Sequence, residues 1–221
     1  MLISSCSQEK DIALHFNALV HGEPLEFGKN YPAPNGDGTF IINDFKLYVS
    51  NVQLINSSNS DNNHIEKDSY HLLKFQDANT DSILIDSVAI SEYDKVRISV
   101  GVDEEGNLSK KYPGDLDPTN QMAWNWTVGY KFVLFEGLYS PESSENEMPL
   151  VFHIGFSENK RDLEFDLDSE SDLSFNIEVM EMFQNPELID WNELPSVLFN
   201  KEHSAMVANN YGRDFIKKAD N

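Results

Sequence analysis

Two tryptophans one residue apart, Trp124 and Trp126, and histidines scattered from His15 to His203 are the residues whose types invite a chemical reading. On an extended backbone, residues two apart face the same side, so the two indoles stand together beside Met122. Indole has no titratable group, which argues against hydrolytic chemistry there. By residue type alone the pair reads as an aromatic cluster sealing one end of a β-sandwich. Imidazole differs, because it titrates near neutrality and offers a lone pair when neutral. His153 lies in Leu150 to Phe156 (LVFHIGF), where Leu150, Phe152, Ile154 and Phe156 take the apolar face. His153 must then point the other way with Val151 and Gly155, and the small Gly155 leaves room for a partner to approach. His71, between Tyr70 and Leu72 in YHLL, has a similar strand setting. A ligand and a satisfied structural histidine are equal readings of both.

The remaining donors are less specific. Asp103-Glu104-Glu105-Gly106-Asn107 and Asp115 with Asp117 hold enough oxygens for Ca²⁺, but neither has EF-hand spacing. Solvated acidic turns are the simpler reading. No GxSxG, GxGxxG, P-loop or HExxH occurs, so no catalytic set is expected and enzymatic activity ranks last. Lys plus Arg is 16 against 38 Asp plus Glu, a formal charge of −22. Such a surface repels phosphate backbones and anionic membranes, which excludes nucleic acid as a partner.

Strands must position these residues. Ile12, Leu14 and Phe16 alternate with Ala13, His15 and Asn17, and Val96, Ile98 and Val100 alternate with Arg97 and Ser99. Phe45 to Leu54, Tyr130 to Phe135, Leu150 to Phe156, Leu163 to Leu167 and Leu173 to Val179 read likewise as strands. Turn chemistry joins them, at Pro32 to Gly38, Asn56 to Asn63 and Ser140 to Met148. After Asn185-Pro186 the pattern turns helical through Phe215, with Met206, Val207, Tyr211 and Phe215 on one face. The expected fold is all-β, a sandwich or flattened antiparallel barrel with a short helical C-terminal extension, forming one domain over 11–221.

Several ordered motifs together resemble the MbnP-like family of exported copper-binding β-proteins. GDLDP…M.W.W..GYKF from Gly114 to Phe132 carries most of the likeness. Leu14 to Leu25, the YVSN within Phe45 to Leu54, Tyr70-His71-Leu72, Tyr93 to Asn107 (YDKVRISVGVDEEGN), Phe152-His153-Ile154-Gly155 and Ala205 to Phe215 extend it along nearly the whole chain. The resemblance implies a bacterial cell-envelope protein that binds copper through histidines. It also implies a tryptophan oxidised to kynurenine by a partner di-haem enzyme. Imidazole suits copper, and kynurenine offers an aniline nitrogen and a carbonyl oxygen where indole has no free lone pair. The candidate metal residues are His71, His153, His203 and His15, with Trp126 placed slightly ahead of Trp124 as the modified side chain. Relatives carry histidine near position 18, where this chain has Ala18 flanked by His15 and His21.

Ile3-Ser4-Ser5-Cys6 resembles the end of a bacterial lipoprotein signal, with residues 1–10 as its remnant and tether and Cys6 as a lipid anchor. No stretch approaches the roughly 20 apolar residues of a membrane-spanning helix. Two other functions stand beside copper handling. One is a ligand- or protein-interaction module using the tryptophans as a platform; the other is a calcium-stabilised structural domain.

Overall fold

The computed structural model describes residues 9–75, 80–125, 128–167 and 172–219. Cys6 and Trp126 lie outside them, so the lipid-anchor reading and half of the tryptophan reading fall on residues not described. The main strands are β1 (Lys10–Val20), β2 (Thr39–Ile55), β3 (Tyr70–Lys74), β4 (Thr80–Val88), β5 (Lys95–Val100), β6 (Ala123–Asn125), β7 (Gly129–Ser140), β8 (Met148–Gly155), β9 (Arg161–Asp166), β10 (Asp172–Glu178) and β11 (Ile216–Lys218). Two helices accompany them, α1 (Glu104–Leu108) and α2 (Lys201–Tyr211).

Two curled sheets face each other, as the alternating patterns require. The smaller runs β11–β10–β1, with β4 on the other side of β1; the larger runs β9–β5–β2–β7–β8. Most pairs are antiparallel, but β1 and β10 run parallel, with Phe16 opposite Phe175. Ile12, Leu14, Phe16, Ala18 and Val20 are all buried, so one face of β1 lies wholly in the core. Between the sheets Trp191 is 1% exposed. Its indole meets Phe40 at 5.0 Å, Phe183 at 5.1 Å and Tyr139 at 5.5 Å between ring centroids.

The larger sheet is buried on both faces near its centre. Leu47 and Val49 of β2 enter the main core, whereas Tyr48 between them joins Tyr70, Leu72, Val102, Leu116, Met122, Tyr130, Phe132 and Leu134 in a second, smaller core outside. The segment 101–122 covers that second core. Its GDLDP motif is a clasp. Asp115 N–H donates to Tyr70 O at 2.9 Å, and the Asp115 carboxylate accepts from Leu72 N–H at 2.8 Å. Tyr48 and Tyr130 donate from below to the carbonyls of Asp115 and Leu116. Gly114 has φ +55°, and a Cβ there would sit 2.4 Å from Tyr70 O, so only glycine fits. The part of the sequence most diagnostic of family is therefore structural.

Two sequence expectations are refined here. The acidic segments are largely exposed turns, as their composition predicts, and their aspartates also act as caps. Asp103 accepts from Gly106 N–H, Asn51 and the Tyr70 hydroxyl, and Asp117 accepts from Thr119 N–H and its hydroxyl. The C-terminal helix is shorter than its apolar spacing predicts. Asn200 caps it by accepting from His203 N–H, while Ser196 and Val197 upstream pair with Val151 and Phe152 of β8. Strand pairing claims the upstream chain, leaving the helix only the stretch from Lys201.

Candidate functional site

His153 leaves β8 on the outer side of the larger sheet. Its neighbours Phe152 and Ile154 are fully buried in the main core, and its cross-strand partner Leu134 belongs to the second core. Alternation thus places the imidazole as the sequence predicts. Only 14% of the side chain is exposed, and Nε2 lies 2.7 Å from Glu136 Oε1 of β7. Burial pushes the His153 imidazole below its ordinary value; Lys131 adds to this, while the Glu136 hydrogen bond opposes it. Burial thus favours the neutral ring.

Gly155, two residues along on the same face, is where Trp124 arrives. A Cβ on Gly155 would meet Trp124 Cζ3 at 2.6 Å and the Tyr130 carbonyl oxygen at 2.4 Å. The missing side chain lets the indole of β6 lie on β8 at Gly155, two residues from His153 in sequence. Two phenylalanines complete the setting, with ring centroids 5.3 Å (Phe156) and 4.9 Å (Phe199) from the Trp124 indole. Both have positive φ, +71° and +52°. For bulky side chains this is a strained conformation, costing on the order of 1–3 kcal/mol each. The Lys201 ammonium lies 5.2 Å from the Phe156 ring centroid. Trp124 Nε1 is buried without a hydrogen-bond partner. On the other side of Trp124 a cavity of about 380 Å³ is walled by Tyr112, Tyr130, Leu108 and Pro118.

The other candidate histidines lie elsewhere. His71 sits on edge strand β3 opposite Val49, a main-core residue, so it projects from the face opposite to His153. Its Nε2 lies 2.9 Å from Glu66 Oε2, and Glu66 also takes the Ser69 hydroxyl hydrogen bond. His15 is on β1 of the smaller sheet, between buried Leu14 and Phe16, and faces outward from that sheet. His203 is in the first turn of α2. Ala18 is fully buried in the main core, whereas His15 faces outward, so His15 does not occupy its place. His21, at a turn with φ +53°, has Nε2 3.0 Å from the Pro32 carbonyl oxygen. The structure thus places Trp124 against Gly155 on the strand that carries His153, while His71 projects from the opposite face and His15 lies on the other sheet. Among the described residues no three His, Cys, Asp or Glu side chains gather closely enough to hold a metal ion.

Sequence reasoning missed Glu136, Phe156 and Phe199 as site neighbours. Glu136 alternates with Phe135 in a readable strand, but its partnership with His153 depends on the register between β7 and β8.

The fold and this face define a β-sandwich protein in which one strand carries a part-buried histidine and, two residues on, a glycine covered by a tryptophan. The chain belongs to the MbnP family, whose sequence model matches residues 9–200. The solved structure of MbnP from Methylosinus trichosporium is similar at 18% identity and a TM-score of 0.58, covering 82% of this chain and 80% of that one. At that identity the likeness concerns the fold. No curated protein sequence matches the chain.

Proposed function

We propose that the chain is a copper-handling protein whose metal-binding face is the outer side of β8 at His153 and Trp124. The observation that carries this reading is the placement of the Trp124 indole over Gly155, two residues from the part-buried His153 on the same face of β8. Membership of the MbnP family supports a copper-related role. As encoded, the face supplies one imidazole and the Glu136 carboxylate, a donor set too small to enclose an ion. Oxidation of Trp124 to kynurenine adds to it. Ring opening removes Cδ1, makes Cγ a ketone and leaves Nε1 as an aniline nitrogen. That nitrogen has no hydrogen bond to lose in the unmodified chain. Cleavage of the Cγ–Cδ1 bond takes four electrons, accepted by two peroxide molecules or one dioxygen, and hydrolysis then releases Cδ1 as formate; a partner di-haem enzyme is the proposed catalyst.

The test compares chain made alone with chain made beside such an oxidase. Conversion raises the mass of the Trp124 peptide by ~4 Da through loss of one carbon and gain of one oxygen. The modified protein is then titrated with Cu(I) against a chelator. Binding that follows modification and is lost in His153→Ala supports the reading; no binding, or binding indifferent to His153, overturns it. Export to the bacterial envelope and lipid attachment at Cys6 belong to the same proposal, checked by acylated mass in the membrane fraction. Among the described residues no helix is long and apolar enough to cross a membrane.

A second reading, a non-metal binding module, is favoured by the aromatic-walled cavity beside Trp124. A ligand held there quenches Trp124 fluorescence in metal-free protein.

A further inference from the structure

The His153–Glu136 pair specifies more than proximity. A carboxylate accepts hydrogen bonds and cannot donate them, so an imidazole nitrogen 2.7 Å from one must carry the proton. In the neutral ring only one nitrogen is protonated, and the other keeps its lone pair in the ring plane. Glu136 therefore selects the tautomer. The register of the sheet makes this selection a built feature. Glu136 stands opposite Val151 and reaches diagonally to His153, while Leu134 stands directly opposite the histidine and supports the ring from below. The imidazole is largely buried, whereas Glu136 is 41% exposed and approaches from the open side. The ring therefore has its protonated edge tied to β7, which limits its rotation.

We propose that Glu136 is a positioning residue that holds His153 as the Nε2–H tautomer and leaves Nδ1 as its donor atom. Metal-binding histidines usually hand their other ring N–H to a carboxylate or carbonyl, which orients the ring and makes it more basic. Glu136 has this relation to His153. The proposal rests on the copper reading only for its consequence, not for the tautomer itself. His71 carries the same kind of partner in Glu66, but that carboxylate is shared with Ser69, and His71 projects from the face opposite to His153. Chemistry alone does not separate the two pairs; their settings do.

The experiment is ¹⁵N-resolved NMR of the histidine rings in metal-free full-length protein, for wild type, Glu136→Ala and Glu136→Gln. Wild type is expected to show His153 with Nε2 protonated and Nδ1 bare. Glu136→Ala should give a mixture of tautomers, and Glu136→Gln should restore the single form because its amide oxygen still accepts. A wild-type ring protonated at Nδ1, or the same single tautomer in Glu136→Ala, overturns the proposal. Cu(I) competition titration of the Trp-oxidised protein supplies the second readout. Glu136→Ala should weaken binding by roughly 10–100-fold and Glu136→Gln should recover much of it. If the NMR behaves as expected and no form binds copper, the metal reading fails while the positioning role of Glu136 stands. Because Glu136 is part-exposed on the outer face of the sheet, neither variant removes core volume, and the amide spectrum verifies folding.

Discussion

Two histidine–glutamate pairs occupy the same large sheet, and their comparison shows how little residue type decides. His153–Glu136 and His71–Glu66 have nearly equal Nε2–carboxylate distances, 2.7 and 2.9 Å. They emerge on opposite faces, because Val49 opposite His71 belongs to the main core and Leu134 opposite His153 to the outer one. Two positions further on, the first pair has Gly155 and the second has Leu73, which is 1% exposed. The glycine admits Trp124; the leucine fills the core. Glu66 also closes a local network in which the Ser69 hydroxyl accepts from Val52 N–H. One pair therefore faces a docked indole, and the other fastens an edge strand.

That contrast can be broken most directly by removing each imidazole. His153→Ala should lower Cu(I) affinity of the Trp-oxidised protein by more than the roughly 10–100-fold that loss of an outer partner costs. His71→Ala should leave the affinity unchanged, as read by chelator competition. Equal losses would show that both faces contribute. The neighbouring positions give the next effect. Leu73→Ala should cost about 2–5 kcal/mol in denaturant unfolding, the usual range for a buried leucine, with no change at Trp124. Gly155→Ala should cost about 1–3 kcal/mol by overpacking and should also shift Trp124 emission, because the new methyl meets a backbone oxygen that cannot yield.

A subtler difference lies in acid stability. Burial holds the folded-state value of His153 below its ordinary value of about 6.5, so the unfolded chain takes up the proton first as pH falls. This contribution to stability is complete above pH 6.5 and is lost as pH drops through the lower folded value. A His153→Asn variant should show a flatter stability profile in that window by urea titration. The smallest effect is expected at the rim of the site. Phe199 is 56% exposed, so Phe199→Ala should change stability by less than about 1 kcal/mol while opening Trp124 to an aqueous quencher.

Much of the scaffold was legible because strand alternation is a local property. The buried faces of β1, β5, β8 and β10 follow from counting residues, and so does the outward turn of His153. The room at Gly155 was legible too, although what fills it was not. Trp191, the largest fully buried side chain among the described residues, stands in an irregular stretch and was not anticipated. Helical character read from Pro186 to Phe215 is confined to Lys201–Tyr211, because Ser196 and Val197 join β8 and Asn200 caps the chain. The four histidines read as one set are distributed by topology over two sheets and a helix.

By itself the sequence determined the family, the all-β class and which way His153 points. Each of these rests on ordered motifs or on the two-residue period of a strand, both carried within short segments. Only the tertiary structure decided that Trp124 covers Gly155 of the His153 strand, that His71 faces away, and that Glu136 reaches the ring. These depend on register and on chain crossings between segments far apart in sequence. No local pattern encodes that energy; it comes from packing two faces of one sheet at once.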